Sequence, residues 1–333
     1  MILRRVLCLI LIIILTLGLA ACTTPTEPIL VPVNHEQPVP ADQLLLQVES
    51  DLFLRRILRG NLFSSQIAVS ANDVPHPNFS LTQTPMSGTV IDLLEREILF
   101  AHNLHGRLFP ASTTKIITAY VALKHGNIDD IVTFDAQAFN LSWGAARGGF
   151  EIGDQVPLYD LLITLMLSSS NDATIAVAAH IAGSEAAFAE LMNEEMRMLG
   201  ATKSNFRNST GLHDPNQWTT VYDLYLVFNA AIRDQRFLHL LEYSSHSITV
   251  ERSTGPVELL FEPTSWYIDG RTEAPEGITV FGGKTGTTSQ AGRCLVLLVY
   301  DPFKRPHIAL IMGASSSEEL YDSLNLMFES ILQ

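Results

Sequence analysis

Three short polar segments stand in one order along the chain, and together they restrict its fold more than any other feature. They are Ser112-Thr113-Thr114-Lys115, Ser169-Ser170-Asn171 and Lys284-Thr285-Gly286. Each segment alone is short enough to arise by chance. In this order and at this spacing, each stands where its chemistry requires it, so the sequence predicts a fold that brings the three segments to one site.

The first segment begins a predicted helix. Pro110 suits a first helical turn and Gly126 suits the helix end. Ser112 and Lys115, three residues apart, then share one face, so the lysine amine reaches the serine hydroxyl. A serine needs such a base to become a nucleophile. The amine is a base only when neutral, a state favoured by burial and by a second ammonium such as Lys284. Taken alone, the segment also fits a solvated helix start.

The second segment separates two apolar helical stretches, 161–167 and 173–181. Polar groups between buried helices need partners, and a cleft provides them. We predict that Ser169 relays a proton to a leaving amine and that Asn171 binds a substrate carbonyl or holds Lys115. Taken alone, the segment also fits a turn that caps the second helix.

The third segment lies in a glycine-rich strand of a predicted hairpin, followed by the apolar run 294–300. Glycines weaken an ordinary strand, but they let another backbone approach closely. A peptide substrate would add there as an extra strand. The amides of Thr287 and Ser112 would then form an oxyanion hole. Taken alone, the segment also fits a bulge at a sheet edge.

The three segments, with Asn208-Ser209-Thr210-Gly211-Leu212, resemble the serine D-alanyl-D-alanine carboxypeptidase family, the low-molecular-mass penicillin-binding proteins. The resemblance runs from about Ser87 to Ser330. It implies an α+β fold, a β-lactamase/DD-peptidase-like antiparallel sheet flanked by helices with an inserted helical subdomain at about 116–230. A hairpin of 87–90 and 98–101, a strand at 307–312 and a final helix at 316–333 are expected to complete this fold.

The resemblance also implies an activity and a role for each site residue. Ser112 would be acylated with Lys115 as its base, while Ser169 and Asn171 serve as relay and clamp. The substrate-binding strand would comprise Lys284, Thr285, Gly286 and Thr287. The implied substrate is a peptidoglycan stem peptide ending in D-Ala-D-Ala, with β-lactam antibiotics as covalent inhibitors. The family uses no metal or organic cofactor.

Three basic residues are candidates for binding the terminal carboxylate of that substrate. Family members usually carry an arginine ahead of the K-T-G strand, where this chain has Arg271, and a basic residue before the last strand, where Lys304 or Arg305 stands. A guanidinium binds a carboxylate through two parallel hydrogen bonds, whereas an ammonium does not.

Two other functions use the same motifs. A β-lactamase needs a carboxylate that activates water, usually a glutamate after the second motif. Glu190 superficially resembles it, but it lies in a helical pattern only 21 residues after Ser169, which favours a helix surface. A non-catalytic penicillin-binding sensor or scaffold is the other possibility, and the intact Ser112 and Lys115 argue against it.

The amino terminus predicts export and lipid attachment. Arg4 and Arg5 precede an apolar run over 6–19, the pattern of a secretory signal. The sequence Leu-Ala-Ala-Cys that ends at Cys22 resembles a bacterial lipobox, which implies cleavage before an acylated Cys22. We therefore expect an extracytoplasmic protein held at the cell membrane by lipid. The predicted divisions are a signal peptide at 1–21, a tether and variable segment at 22–85, and the DD-peptidase domain at 86–333.

Charge and composition exclude one class of partner. The formal net charge is −14, and removing residues 1–21 takes away two arginines and makes it −16. An acidic surface argues against nucleic-acid binding. Hydrophobic residues make up 47% of the chain, which is ample for a core without an internal disulfide, because the mature chain would keep only Cys22 and Cys294.

Overall fold

A computed structural model describes residues 67–81 and 86–332. In chain order the strands are β1 (Ser87–Asp92), β2 (Glu97–His102), β3 (Ile131–Thr133), β4 (Gln155–Pro157), β5 (His246–Arg252), β6 (Gly255–Phe261), β7 (Thr279–Thr288), β8 (Gly292–Tyr300) and β9 (Pro306–Ala314). The helices are α1 (Lys115–His125), α2 (Leu158–Leu167), α3 (Asn171–Ala182), α4 (Glu185–Met198), α5 (Val221–Ala231), α6 (Gln235–Leu240) and α7 (Ser317–Phe328). The predicted signal peptide, Cys22 and the first part of the variable segment lie outside the described residues.

The main sheet has five antiparallel strands in the order β2-β1-β9-β8-β7. Strand β8 lies inside the sheet, and its side chains alternate between two apolar layers. Val296 and Leu298 face the core shared with the helical region, while Leu295 and Leu297 face the core shared with α7. Burial on both faces explains why this strand is a continuous apolar run in the sequence. The predicted class, an antiparallel sheet with helices on both faces, is confirmed.

The inserted region between β2 and β7 is built around α1. Its residues Ile116, Ile117 and Ala119 are fully buried, because α3, α4 and α5 pack around it. Residues 115–119, at the amino-terminal end of α1, are all buried, so packing holds this end of the helix in place. The motif that begins with Ser112 leads directly into this buried end.

The structure departs from the expected elements in two places. The region expected to be helical at 116–230 also contains the paired strands β3 and β4, and the hairpin β5–β6 follows it at 246–261. Strand β5 alternates exposed and buried residues, a period of two that marks a half-buried strand. The final helix was expected over 316–333, but α7 ends at Phe328, and only turns follow it up to residue 332.

Strand β7 forms one edge of the main sheet among the described residues, so its outer backbone groups are available to a further strand. Within 67–81 and 86–332, no single helix is long and apolar enough to cross a membrane, although α3 and α4, bent by 80° at their junction, reach that length together.

Candidate active site

Ser112 lies on a short 3₁₀ turn, Ala111–Thr114, that leads directly into α1. The sequence predicted the first turn of an α-helix, but side chains three residues apart align even more closely on a 3₁₀ turn. Ala111 has a φ of 46°, a left-handed backbone that is strained for alanine. A Cβ on Gly211 would lie 1.8 Å from the carbonyl oxygen of Ala111, so only glycine permits this contact. The loop at 208–212 thus supports the turn that carries Ser112.

Lys115 is fully buried, and its Nζ meets three oxygen atoms. The amine donates hydrogen bonds of 2.7 Å to Asn171 Oδ1 and of 2.7 Å to the carbonyl oxygen of Thr210. Ser112 Oγ lies 3.3 Å from the same nitrogen. A neutral amine has two N–H groups and one lone pair. Because the two N–H groups are occupied by the two acceptors, the lone pair is left for the serine hydroxyl.

Burial lowers the pKa of Lys115 well below its usual value, and the positive charge of Lys284 lowers it further. The carboxylates of Glu185 and Asp172 act in the opposite direction but are the weaker influence. Burial also lowers the pKa of Lys284, to about 7. The site therefore favours the neutral form of Lys115, which is the form that a general base requires.

The second segment forms the opposite wall of the site. Ser169 has a φ of 64°, a strained conformation that concentrates at functional positions. Ser170 occupies the N-cap position of α3, but its side chain does not cap the helix. It lies 2.8 Å from Ser168 Oγ instead. Asn171 donates from both its backbone amide and its Nδ2 to the carbonyl oxygen of Ala146, each over 3.0 Å. A simple capping turn does not account for these contacts.

The third segment approaches the 3₁₀ turn more closely than any side chain allows. A Cβ on Gly286 would lie 2.9 Å from the backbone nitrogens of both Ser112 and Thr113. This places the outer part of β7 directly beside the turn that carries Ser112. Lys284 Nζ donates to the carbonyl oxygen of Thr285 over 3.1 Å, and Thr285 Oγ1 lies 2.5 Å from Thr264 Oγ1.

A cleft of about 250 Å³ opens between these segments. Its lining includes Ser112, Ser169, Thr285, Gly286 and Thr287. The structure thus brings residues of all three motifs to one opening, with Lys115, Asn171 and Lys284 buried behind it. No cluster of His, Cys, Asp and Glu suited to a metal ion occurs among the residues that the structure describes.

Sequence reasoning missed two groups of this site. The carbonyl of Thr210 accepts a hydrogen bond from Lys115, 95 residues away in the sequence, and Thr264 contacts Thr285. The conspicuous Asn208–Leu212 stretch was the only sequence signal for the first of them. Backbone carbonyls occur in every residue, so nothing in the pattern indicated which one reaches Lys115.

Two of the candidates for binding the substrate carboxylate are ruled out by the sheet register. Thr279 pairs with Tyr300, so the turn that carries Lys304 and Arg305 lies at the far end of β7, roughly 20 Å from Thr285 at the rise of a strand. Arg305 is bound there to Asp301, with Nε 2.6 Å from Oδ2.

The third candidate, Arg271, lies over Trp266, a residue of the cleft lining, with its guanidinium 5.0 Å from the ring centroid. Its guanidinium is already paired with the carboxylate of Asp269, and its Nε donates over 2.7 Å. Binding a substrate carboxylate would require Arg271 to leave this partner.

Glu190, the residue considered for a β-lactamase, lies on α4 with its side chain exposed. No aspartate or glutamate occurs among the described residues that line the cleft. The helix-surface interpretation of Glu190 is therefore confirmed.

Comparisons with known proteins identify relatives of the chain. The family of D-alanyl-D-alanine carboxypeptidases, Peptidase S11, matches residues 79–316. The D-alanyl-D-alanine carboxypeptidase DacA of Haemophilus influenzae is 32% identical over 273 residues, which cover 78% of this chain and 66% of that protein. The chain spans 58% to 66% of the length of the first curated relatives that it matches.

Solved structures show the same fold. The D-alanyl-D-alanine carboxypeptidase of Mycobacterium tuberculosis superimposes with a TM-score of 0.66 at 25% identity, covering 79% of this chain and 94% of that chain. The DD-transpeptidase of Streptomyces K15 superimposes with a TM-score of 0.68 at 22% identity, covering 77% of this chain and all of that chain.

Proposed function

The chain belongs to the D-alanyl-D-alanine carboxypeptidase family, and we propose that it removes the terminal D-Ala from peptidoglycan stem peptides through an acyl-enzyme at Ser112. The observation that carries this proposal is the environment of Lys115. Its buried amine donates to two fixed acceptors, lies 3.3 Å from Ser112 Oγ and has a lowered pKa. This is what a neutral base beside a serine nucleophile requires.

In the first step, Ser112 Oγ attacks the carbonyl carbon of the D-Ala-D-Ala bond while its proton passes to Lys115 Nζ. The backbone amides of Ser112 and Thr287 donate to the oxygen that becomes negative. Ser169 then donates its proton to the nitrogen of the terminal D-Ala and takes the proton held by Lys115 Nζ, so the carbon–nitrogen bond breaks and Lys115 is neutral again. Water hydrolyses the serine ester and releases the shortened peptide.

The substrate peptide adds to the free edge of β7 as an antiparallel strand. Gly286 lets this edge approach the turn that bears Ser112, because any side chain there would contact that turn. Thr285 and Thr287 line the cleft. Asn171 accepts a hydrogen bond from Lys115, and the positive charge of the buried Lys284 lowers the pKa of Lys115. These contacts set the peptide carbonyl beside Ser112 before the reaction begins.

β-Lactam antibiotics acylate the same serine, and the resulting ester is hydrolysed slowly. Efficient deacylation of a β-lactam ester needs a carboxylate that activates water, and no described residue of the cleft lining carries one. A β-lactamase activity is therefore the weaker candidate. A non-catalytic sensor is weaker still, because Ser112 opens onto the cleft and its base is in place.

The decisive assay offers the protein a diacetyl-Lys-D-Ala-D-Ala peptide and benzylpenicillin in parallel. We expect multiple turnovers of free D-Ala with the peptide, slow hydrolysis of the penicillin, and neither reaction in Ser112→Ala. Rapid penicillin hydrolysis without D-Ala release would replace the proposal with a β-lactamase. Transfer of the peptide to an added amine in excess of hydrolysis would replace it with a transpeptidase.

We also propose that the mature protein begins at a lipidated Cys22, which holds the enzyme at the outer face of the cell membrane. The support is the sequence Leu-Ala-Ala-Cys after a charged and apolar leader. Two acyl chains of a diacylglycerol are enough for stable anchoring. In this arrangement residues 1–21 are removed, residues 22–85 form the tether and variable segment, and residues 86–333 form the catalytic domain.

Mass spectrometry of the amino-terminal peptide tests this anchoring. We expect a diacylglyceryl-modified Cys22 and membrane fractionation, with Cys22→Ser shifting the protein out of the membrane fraction. An unmodified Cys22 in membrane-bound protein would refute the lipid anchor and leave the proposed activity untouched.

A further inference from the structure

We propose that a second cavity beside the cleft binds an acidic residue of the stem peptide, amino-terminal to its D-Ala-D-Ala end, and that Arg107 selects this residue by its carboxylate. This proposal rests on the function proposed above and adds a substrate-binding site to it. The cavity has a volume of about 300 Å³, against about 250 Å³ for the cleft. Its described lining, which defines the Trp218 cavity, is Arg107, Leu108, Phe109, Pro215, Trp218 and Gln290.

The Trp218 cavity adjoins the cleft on two sides. Phe109 precedes Ser112 by three residues, and Gln290 follows Thr287 by three residues. Three residues of fully extended chain span at most about 11 Å, so the backbone of both walls lies within this distance of the cleft. A peptide that is bound at Ser112 and continues for a few residues is therefore long enough to enter the cavity.

The groove along β7 is closed towards the start of the strand. A Cβ on Gly282 would lie 2.5 Å from the carbonyl oxygen of Leu241, so the loop after α6 packs directly on this part of β7. The space that remains there, whose lining includes Thr264 and Thr285, is about 20 Å³. That volume holds a water molecule but not an amino-acid residue. The longer part of a bound peptide must therefore leave the cleft towards Thr288.

The antiparallel arrangement proposed above sends the amino-terminal part of the substrate in this open direction. A peptide antiparallel to β7 has its carboxyl end towards the start of the strand, where only the one residue after the scissile bond needs room. The rest of the stem peptide then passes the turn that carries Gln290. An extended chain advances by about 3.4 Å per residue, so the residue two positions before the penultimate D-Ala reaches the Trp218 cavity with its side chain.

Paired backbone segments hold the walls of this cavity in place. Leu108 and Thr219 exchange two hydrogen bonds of 2.9 Å, and Asn205 and Trp218 exchange two of 2.8 and 3.0 Å. These pairs fix the segment before the 3₁₀ turn beside the segment that carries the tryptophan. The cavity is thus formed before a ligand enters, as is usual for sites lined by apolar and aromatic side chains with a few polar groups.

Arg107 supplies the positive charge of the cavity. Its guanidinium lies over the indole ring of Trp218, 4.8 Å from the ring centroid. Stacking occupies the face of the guanidinium and leaves the N–H groups at its edge able to donate. No acidic side chain occurs in the described lining, and within 67–81 and 86–332 no carboxylate forms an ion pair with Arg107. Asp214, next to Pro215, accepts a hydrogen bond of 2.7 Å from the backbone amide of Asn216 instead.

An acidic residue is the ligand that matches these groups. The protein has a formal net charge of −14, so most of its surface repels an anion, whereas an unpaired cation attracts one locally. A guanidinium binds a carboxylate through two parallel hydrogen bonds, and Leu108, Phe109 and Pro215 offer apolar surface to the CH₂ groups of the side chain. The cavity therefore favours stem peptides that carry a carboxylate at this position over those that carry an amide.

The test measures D-Ala release from two peptides that differ only at this position, acetyl-D-Glu-(Nε-acetyl-Lys)-D-Ala-D-Ala and its D-Gln counterpart. In the parent protein we expect kcat/KM to be about 3- to 10-fold higher for the acidic peptide, the effect of one partly exposed charge-assisted contact. Arg107→Gln should remove this preference, and Arg107→Glu should reverse it. Arg197→Gln, on the exposed surface of α4, should keep the preference of the parent protein.

Equal kcat/KM values for the two peptides in the parent protein would overturn the proposal, as would a preference that persists in Arg107→Gln. An equal fall on both peptides in Arg107→Gln, with the preference kept, would show a structural role and overturn it too. Arg107 is exposed, so its replacement leaves the core intact, and thermal unfolding of each variant checks this. The proposed function fails separately, if the parent protein releases no D-Ala from diacetyl-Lys-D-Ala-D-Ala or from either longer peptide, and the proposal then fails with it.

Discussion

Gly286→Ala is the substitution whose effect can be worked out most directly from the structure. The new Cβ would lie 2.9 Å from the backbone nitrogens of Ser112 and Thr113 and 3.2 Å from the Cβ of Ala111. Ordinary contacts begin at 3.4 Å, so β7 and the 3₁₀ turn must separate by about 0.5 Å. A displacement of 1 Å costs a reaction about 100-fold, so half of that displacement should slow acylation about tenfold. Overpacking should also cost about 1–3 kcal/mol of stability.

Gly88→Ala provides the matched control, because it crowds β1 without touching the site. Its Cβ would lie 2.8 Å from Leu81 Cδ1 and 3.1 Å from the carbonyl oxygen of Leu310. Acylation rates by fluorescent penicillin and unfolding free energies by urea titration are measured for both variants. We expect both to lose stability and only Gly286→Ala to acylate slowly. Wild-type acylation in Gly286→Ala, or equal slowing in both variants, would refute the argument.

Three further predictions concern the two buried lysines. Lys115→Ala should slow penicillin acylation by about 10²- to 10⁴-fold, as loss of a general base does, whereas Lys124→Ala, at the far end of α1, should acylate normally in the same assay. The acylation rate of the parent protein should rise with pH as Lys115 loses its proton. Lys284→Gln should move this rise to higher pH, because the charge of Lys284 lowers the pKa of Lys115. A stopped-flow pH profile that is the same in both proteins would contradict this. Burial lowers the pKa of Lys284 from 10.5 to about 7, so between these pH values the unfolded chain binds more protons than the folded chain. The free energy of unfolding should therefore increase with pH in this range, and it should increase less steeply in Lys284→Met.

The central part of the site was accessible from the sequence because its residues are tied by local geometry. The three-residue spacing of Ser112 and Lys115 puts them on one face whether the turn is α or 3₁₀. The glycines of the third segment indicated a close backbone contact, and Gly286 makes one with the Ser112 turn. The alternating apolar layers of β8 likewise follow from a continuous hydrophobic run between two turns.

Other features depended on contacts that leave no local pattern. The carbonyl of Thr210 reaches Lys115 through the fold of a loop 95 residues away. Arg293, which also lines the cleft, stands at the start of an apolar strand, so its position there follows only from the pairing of β7 with β8. The hairpin β5–β6 lies in a region for which the sequence analysis predicted no elements, although β5 carries the alternation of a half-buried strand. The lipid attachment at Cys22 stays a prediction.

The central claim is that Ser112, activated by Lys115, forms an acyl-enzyme. Incubation with benzylpenicillin followed by intact-mass measurement and peptide mapping tests it most directly. The account predicts a mass increase of one penicillin per chain, located on Ser112 and absent from Ser112→Ala. An adduct on another residue, an adduct that persists in Ser112→Ala, or no adduct in the parent protein would contradict it.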